Sequence, residues 1–206
     1  MDFWKRHGWK AAVLVAIAAI AVVTAWRLER QTRVDWLERP RPAASFALTD
    51  MNGNPVSLAD SRGKVRLVYF FFSYCPDVCP ESTYRLKGIQ QSLREKGWLG
   101  RDVVILSISF DPERDTPERL RAFAGPFQPE PGGWFFLTGR DEKQMAELAR
   151  SYMVSVTKSP EGSFAHTNLY LLVDRRDMIR AYFLVDRDFR ENDLIAAVKA
   201  LVKESA

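Results

Sequence analysis

Residues 69–80, YFFFSYCPDVCP, hold both cysteines of a 206-residue chain, directly after an apolar run. The run belongs to residues 64–73, KVRLVYFFFS, which are apolar on both alternating faces, the pattern of a central strand buried on two sides. Helical spacing begins after the cysteines: Leu86, Ile89 and Leu93 recur on one face, and Gly97 supplies a stop. A strand, a two-cysteine turn and a helix in that order admit a redox centre, part of a metal site or a structural disulfide.

Working outward, residues 45–58 (SFALTDMNGNPVSL) alternate around Asn52-Gly53 and predict a hairpin. Residues 102–110 (DVVILSISF) read as a second buried strand. Thr116-Pro117-Glu118 then gives an N-cap, a proline at the first helical position and an acid in the first turn. That helix should stop at Gly125-Pro126. WFFLT (134–138) reads as a short strand, and Met145, Leu148 and Tyr152 mark another helix. TNLYLLVD and MIRAYFLV form a strand pair around Arg175-Arg176-Asp177, and Leu194, Val198 and Leu201 mark a closing helix. Strands alternating with helices predict an α/β protein with a mostly parallel sheet and an antiparallel pair near its end. A thioredoxin-like fold, a central mixed sheet flanked by helices, has this order and puts its cysteines where they fall here.

Composition narrows the chemistry. With 47% hydrophobic and 27% charged residues the chain is ordinary globular material, and its net charge of +4 is mild. Bases interleave with acids, as in DPERDTPERLR, which describes a solvated surface and argues against nucleic-acid binding. Beyond the N-terminus, about 160 residues make one domain, large enough to fold without disulfide staples.

The N-terminus is different in kind. Residues 11–26, AAVLVAIAAIAVVTAW, carry no charge and are bounded by Lys10 and Arg27. As a helix they reach roughly 24 Å, slightly short of a bilayer core of about 30 Å, with Trp9 and Trp26 suited to the interfaces. The segment reads as a transmembrane anchor, the alternative being a signal peptide cleaved after Ala25. Basic residues on both sides (Lys5, Arg6, Lys10; Arg27, Arg30, Arg33) leave its orientation open, and an exported domain is assumed. The expected organisation is a cytoplasmic tail (1–10), the anchor (11–26), a charged, proline-bearing linker (27–44) and the domain (45–206).

Cys75 and Cys79 stand at i and i+4, so a helical first turn would put both thiols on one face. A helix start favours thiolate over thiol. Thioredoxin-type centres use Cys-x-x-Cys; the longer Cys-x-x-x-Cys suits a metal at least as well as a disulfide. Of the two histidines, His7 lies in the tail, and His166 opens the late strand. A lone histidine there is most often a surface residue. In a thioredoxin-like sheet, however, that position faces the cysteine turn, and redox enzymes fill it with a cis-proline that has no counterpart here, Pro160 being six residues earlier. Two thiolates and an imidazole leave structural zinc without a fourth ligand and an iron–sulfur cluster without enough cysteines. They suit copper.

Cys75-Pro76-Asp77-Val78-Cys79-Pro80, the segment Asp111-Pro112-Glu113-Arg114-Asp115-Thr116-Pro117 and His166-Thr167 together resemble the SCO/SenC family of copper-binding, membrane-anchored, thioredoxin-like proteins of cytochrome c oxidase assembly. The resemblance covers most of residues 45–206 and the anchor. It implies that Cys75, Cys79 and His166 are ligands of copper, as Cu(I) or Cu(II). It further implies a metallochaperone, rather than a turnover enzyme, that delivers copper to the dinuclear site of oxidase subunit II or prepares that site's cysteines. The implied partners are subunit II and, in a relay, another copper chaperone. The implied location is the cytoplasmic (inner) membrane, single-pass, with the domain facing the periplasm or extracytoplasmic side. The alternative is a thiol–disulfide oxidoreductase in which Cys75 and Cys79 are catalytic. Asp111 and Asp115 match a family acidic motif, read as loop positioning or partner contact, with a capping turn bearing surface acids as the plainer reading. One departure is Ala165, where relatives often carry an acid before the histidine; a carboxylate orienting the imidazole must then come from elsewhere. The preceding loop, VTKSPEGSFA, also lacks the acidic cluster of some relatives.

Overall fold

The computed structural model describes residues 3–29, 34–76, 78–159 and 164–204. It comprises two units, Met1–Arg33 and Val34–Ala206. The first is helix α1 (Phe3–Glu29), which contains the uncharged run and continues into charged residues at both ends. Its apolar side chains between Val13 and Val23, Leu14, Ile17 and Ile20 among them, are exposed. No helix among the described residues is long and apolar enough to cross a membrane.

The second unit is built on an eight-stranded mixed sheet. Its elements are β1 (Asp35–Pro42), β2 (Ala47–Asp50), β3 (Pro55–Ser57), β4 (Val65–Phe71), α2 (Val78–Glu95), β5 (Val103–Ser109), α3 (Pro117–Ala124), β6 (Trp134–Thr138), α4 (Glu142–Ser151), β7 (Val156–Lys158), β8 (Phe164–His166), β9 (Leu169–Val173), β10 (Met178–Leu184) and α5 (Glu191–Lys203). The sheet order is β1-β10-β9-β4-β5-β6-β2-β3, and β7 pairs with β8 in a separate ribbon. β4, β5 and β6 run parallel, whereas β9 joins β4 antiparallel.

The apolar runs determine this arrangement. Every residue of β4 and β5 is buried, so both faces of the sheet centre must be covered. Leu86, Ile89 and Leu93 line the inner face of α2 and are buried, each stabilising the fold by about 1.5–3 kcal/mol relative to exposure. α5 packs beside α2 and over β4. Arg66 is the charged exception in β4. Its guanidinium donates to Ser61 Oγ at 2.9 Å and to the Asp174 carbonyl at 2.8 Å, and pairs with Asp177 at 2.7 Å, which satisfies a charge that burial would otherwise strongly disfavour.

The hairpin is β2–β3, with Gly53 at φ +85° and Asp50 accepting from the amides of Asn52 and Asn54. Thr116 caps α3, its hydroxyl accepting from the Arg119 amide, and the helix ends before a 3-10 turn at Gly125–Phe127. The linker expectation needs correction. From Asp35 the segment is strand β1, paired with β10 at the sheet edge; residues 30–33 lie outside the described residues. Pro40 and Pro42 obscured this strand, yet an edge tolerates proline, and its register shifts between Trp36 and Arg41. His166 is likewise displaced from its expected place: it ends β8, opposite Val156, instead of opening β9. Residues 160–163 of the loop before it lie outside the described residues.

Candidate metal and thiol site

After β4 the chain turns sharply, the Cys75 amide donating to the Phe72 carbonyl at 3.3 Å. Helix α2 starts at Val78, so Cys75 lies ahead of the helix and Cys79 is its second residue; Asp77 lies outside the described residues. The two cysteines meet across this junction, not along one helix face. The Cys79 amide donates to Cys75 Sγ at 3.4 Å, so a helix-start N–H, the kind of group that favours negative charge, points at that sulfur. Both cysteines are thiols, Cys75 8% exposed and Cys79 wholly buried. Its hydrogen bond with Cys75 and its burial push the Cys79 thiol far above the ordinary range.

The short ribbon carries His166 to this turn. Cys79 Sγ lies 3.5 Å from His166 Nε2, and the Cys75 side chain also faces the ring. The other ring nitrogen, Nδ1, is 3.2 Å from the Thr167 carbonyl, which can only accept. Nδ1 therefore carries the proton and Nε2 directs its lone pair at the sulfur. A main-chain carbonyl thus takes the place of the carboxylate absent at Ala165. Phe110 and Phe72 pack on the imidazole at 5.1 and 6.1 Å between ring centroids, and Phe164 closes against both phenylalanines. This burial lowers the His166 pKa and so favours the neutral ring, the form that ligates metals.

The acidic motif lies behind the turn. Asp111 and Asp115 are both wholly buried, which removes the reading of them as surface acids. Asp115 accepts from the Ser73 amide (2.9 Å), the Ser73 hydroxyl (2.5 Å) and the Ser109 hydroxyl (2.5 Å). Arg119 donates to Ser73 Oγ at 2.7 Å and to its carbonyl at 3.1 Å, and its guanidinium lies 4.2 Å from the exposed Tyr74 ring. Asp111 accepts from Arg114 at 2.5 Å; burial raises its carboxyl pKa against the pull of that arginine. The aromatic wall, Ser73 and Arg119 escaped the sequence reading because no spacing pattern marks them.

Among the described residues, no three His, Cys, Asp or Glu side chains stand close enough together, as placed, to hold a metal ion. The donor chemistry nevertheless fits a soft ion: Cys79 Sγ lies beside His166 Nε2, and the Cys75 side chain borders the same ring. The 3.5 Å sulfur–nitrogen separation is close to the edge spanned by tetrahedral bonds of about 2.3 and 2.1 Å, as measured for zinc. Two adjacent thiols can equally close a disulfide.

A thioredoxin-like domain with a reduced Cys-x-x-x-Cys turn and a histidine beside it defines a class that comparison makes specific. The chain belongs to the SCO1/SenC family, whose model matches residues 35–203. It is 30% identical over 158 residues to the SCO1 protein homolog of Bacillus subtilis, covering 75% of this chain and 80% of that one. Among solved structures it resembles BsSco, described as a member of the Sco family of cytochrome c oxidase assembly proteins and reported with a disulfide switch. That likeness has a TM-score of 0.73 and 26% identity, over 83% of this chain and 99% of the other. It also resembles Arabidopsis thaliana ScoI with copper bound, with a TM-score of 0.67 and 27% identity, over 80% and 100% of the two chains. Several other curated relatives are longer, and the chain spans about half of their length or less.

Proposed function

We propose that this domain binds copper through Cys75, Cys79 and His166 and acts as a metallochaperone in cytochrome c oxidase assembly. It delivers copper to the dinuclear site of subunit II, or readies that site's cysteines to receive it. The observation that carries this reading is the 3.5 Å approach of His166 Nε2 to Cys79 Sγ in a turn whose cysteines are both reduced. Copper-bound relatives of the same fold support it. Cys75, the more accessible thiol, is the point of entry; Cys79 and the buried imidazole complete the set, and both thiols release their protons as the ion binds. The segment 11–26 of α1 holds the protein to the cytoplasmic membrane, with the domain on its outer side.

A second reading, a thiol–disulfide oxidoreductase, draws on the Cys79 amide directed at Cys75 Sγ, which favours that sulfur as a nucleophile. The two readings separate experimentally. Copper-loaded protein should show a Cu(II)–thiolate absorption band that disappears in Cys75→Ser, Cys79→Ser and His166→Ala. An unaltered band in His166→Ala sinks the ligand assignment. Reductase activity that survives His166→Ala, alongside copper binding weaker than about micromolar, on the order of −8 kcal/mol, favours the oxidoreductase.

A further inference from the structure

Tyr69 is wholly buried on β4, and its hydroxyl has no hydrogen-bond partner among the described residues. Its ring stands edge-on to Tyr170, 5.3 Å away, as its register partner across β9. The Tyr170 hydroxyl donates to the Ser82 carbonyl at 2.6 Å, beneath the first turns of α2. The Tyr69 hydroxyl points to the same place, where Cys79 and Ser82 face it. Ser82 is already engaged: its carbonyl holds Tyr170, and its hydroxyl exchanges hydrogen bonds with the Asn168 amide at 3.2 and 3.1 Å. Of the two groups that face Tyr69, Cys79 Sγ is the one whose strength as an acceptor changes with the state of the site.

A buried hydroxyl without a partner destabilises a fold, so its retention calls for a state in which the partner exists. A thiol is a weak acceptor and a thiolate a strong one. We infer that Tyr69 is a positioning residue of the site, its hydroxyl donating to the Cys79 sulfur when that sulfur is a metal-bound or nucleophilic thiolate. The inference rests on the proposed role of Cys79 and adds a fourth side chain to the site. The hydrogen bond fixes the sulfur's direction and draws off part of its charge. Tyr69 thus opposes stability in the metal-free protein and supports the loaded one.

The test is Tyr69→Phe in the full chain, which removes one oxygen and leaves the ring. Metal-free Tyr69→Phe should melt at a higher temperature than the parent. It should bind Cu(I) roughly ten-fold more weakly in competition with bicinchoninate, as expected for a lost hydrogen bond to a charged group. Its Cu(II)–thiolate band should move to longer wavelength. Unchanged affinity and band overturn the inference; so does weaker binding accompanied by a lower melting temperature, which marks a purely structural role. If the parent protein itself binds no copper, the ligand reading fails separately, and Tyr69 is judged by the reduction potential of the Cys75–Cys79 pair, read against a dithiothreitol redox buffer. A lower potential in Tyr69→Phe upholds the hydrogen bond to the reduced sulfur, and equal potentials overturn it.

Discussion

Asp115 binds both the amide and the hydroxyl of Ser73, at 2.9 and 2.5 Å, two residues ahead of Cys75. The carboxylate comes from the loop after β5 and the serine from the end of β4, so one side chain joins adjacent strand ends beneath the cysteine turn. Arg119 grips the same serine from the other side. The family acidic motif acts here as the support of the turn.

Asp115→Asn tests that support. An amide nitrogen cannot accept, so at least one of the three donors loses its partner, at a cost of about 1–3 kcal/mol for a buried group. Urea denaturation should show this loss, and the Cys75 thiol should react faster with iodoacetamide as its turn loosens. A variant with parental stability and thiol reactivity would mean that the serine is held by other contacts.

Phe110 forms a wall of the imidazole pocket and is buried against Phe72 and Phe164. Phe110→Ala should lower stability by about 3–5 kcal/mol. Phe110→Leu, which restores most of the volume, should lose less than about 1.5 kcal/mol. Chemical denaturation compares the two directly. Equal losses would show that the ring itself, rather than the space it fills, sustains the pocket.

Asp174 predicts part of the acid limb of the stability curve. Burial raises its carboxyl, but the Met178 amide, Arg180 and the Arg176 amide outweigh burial and hold the pKa below 3.8. The folded state thus favours the ionised form, and the unfolded state binds the proton first. This contribution is fully present well above pH 3.8 and is lost as pH falls below 3.8 through the depressed folded value. Thermal melts of Asp174→Asn from pH 6 to about pH 2 should be flatter than those of the parent. A parallel pair of curves contradicts the prediction.

Thr116 marks the start of α3, its hydroxyl accepting from the Arg119 amide at 3.3 Å. Thr116→Ala should lower stability by about 1 kcal/mol, measurable as a shifted urea midpoint. Because Thr116 is exposed and Asp115 buried, the neighbouring substitutions should differ clearly in their effect on the thiols. A cap loss that perturbs Cys75 as strongly as Asp115→Asn would show that α3 itself positions the turn.

Much of the fold is legible where neighbouring residues carry the signal. The runs that became β4 and β5 are buried throughout, and Thr116-Pro117 and Gly125-Pro126 bracket α3 as expected. β1 was not legible: its prolines and charges describe a linker, and it becomes a strand only because β10 offers an edge to pair with. The β7–β8 ribbon was hidden for a similar reason, since strands this short carry too little periodicity to register.

By itself the sequence determined the α/β order, the cysteine pair at a strand-to-helix turn and the candidacy of His166. Those features are written in local spacing, which records how a segment is buried. The tertiary structure decided how they meet. It set Cys75 before the helix, brought His166 Nε2 to 3.5 Å from a sulfur 87 residues away in the chain, and aimed the unpartnered Tyr69 hydroxyl at the Cys79 turn. Such contacts depend on strand order and on the course of a ribbon between helices, and neither has a signature in the residues that make the contact.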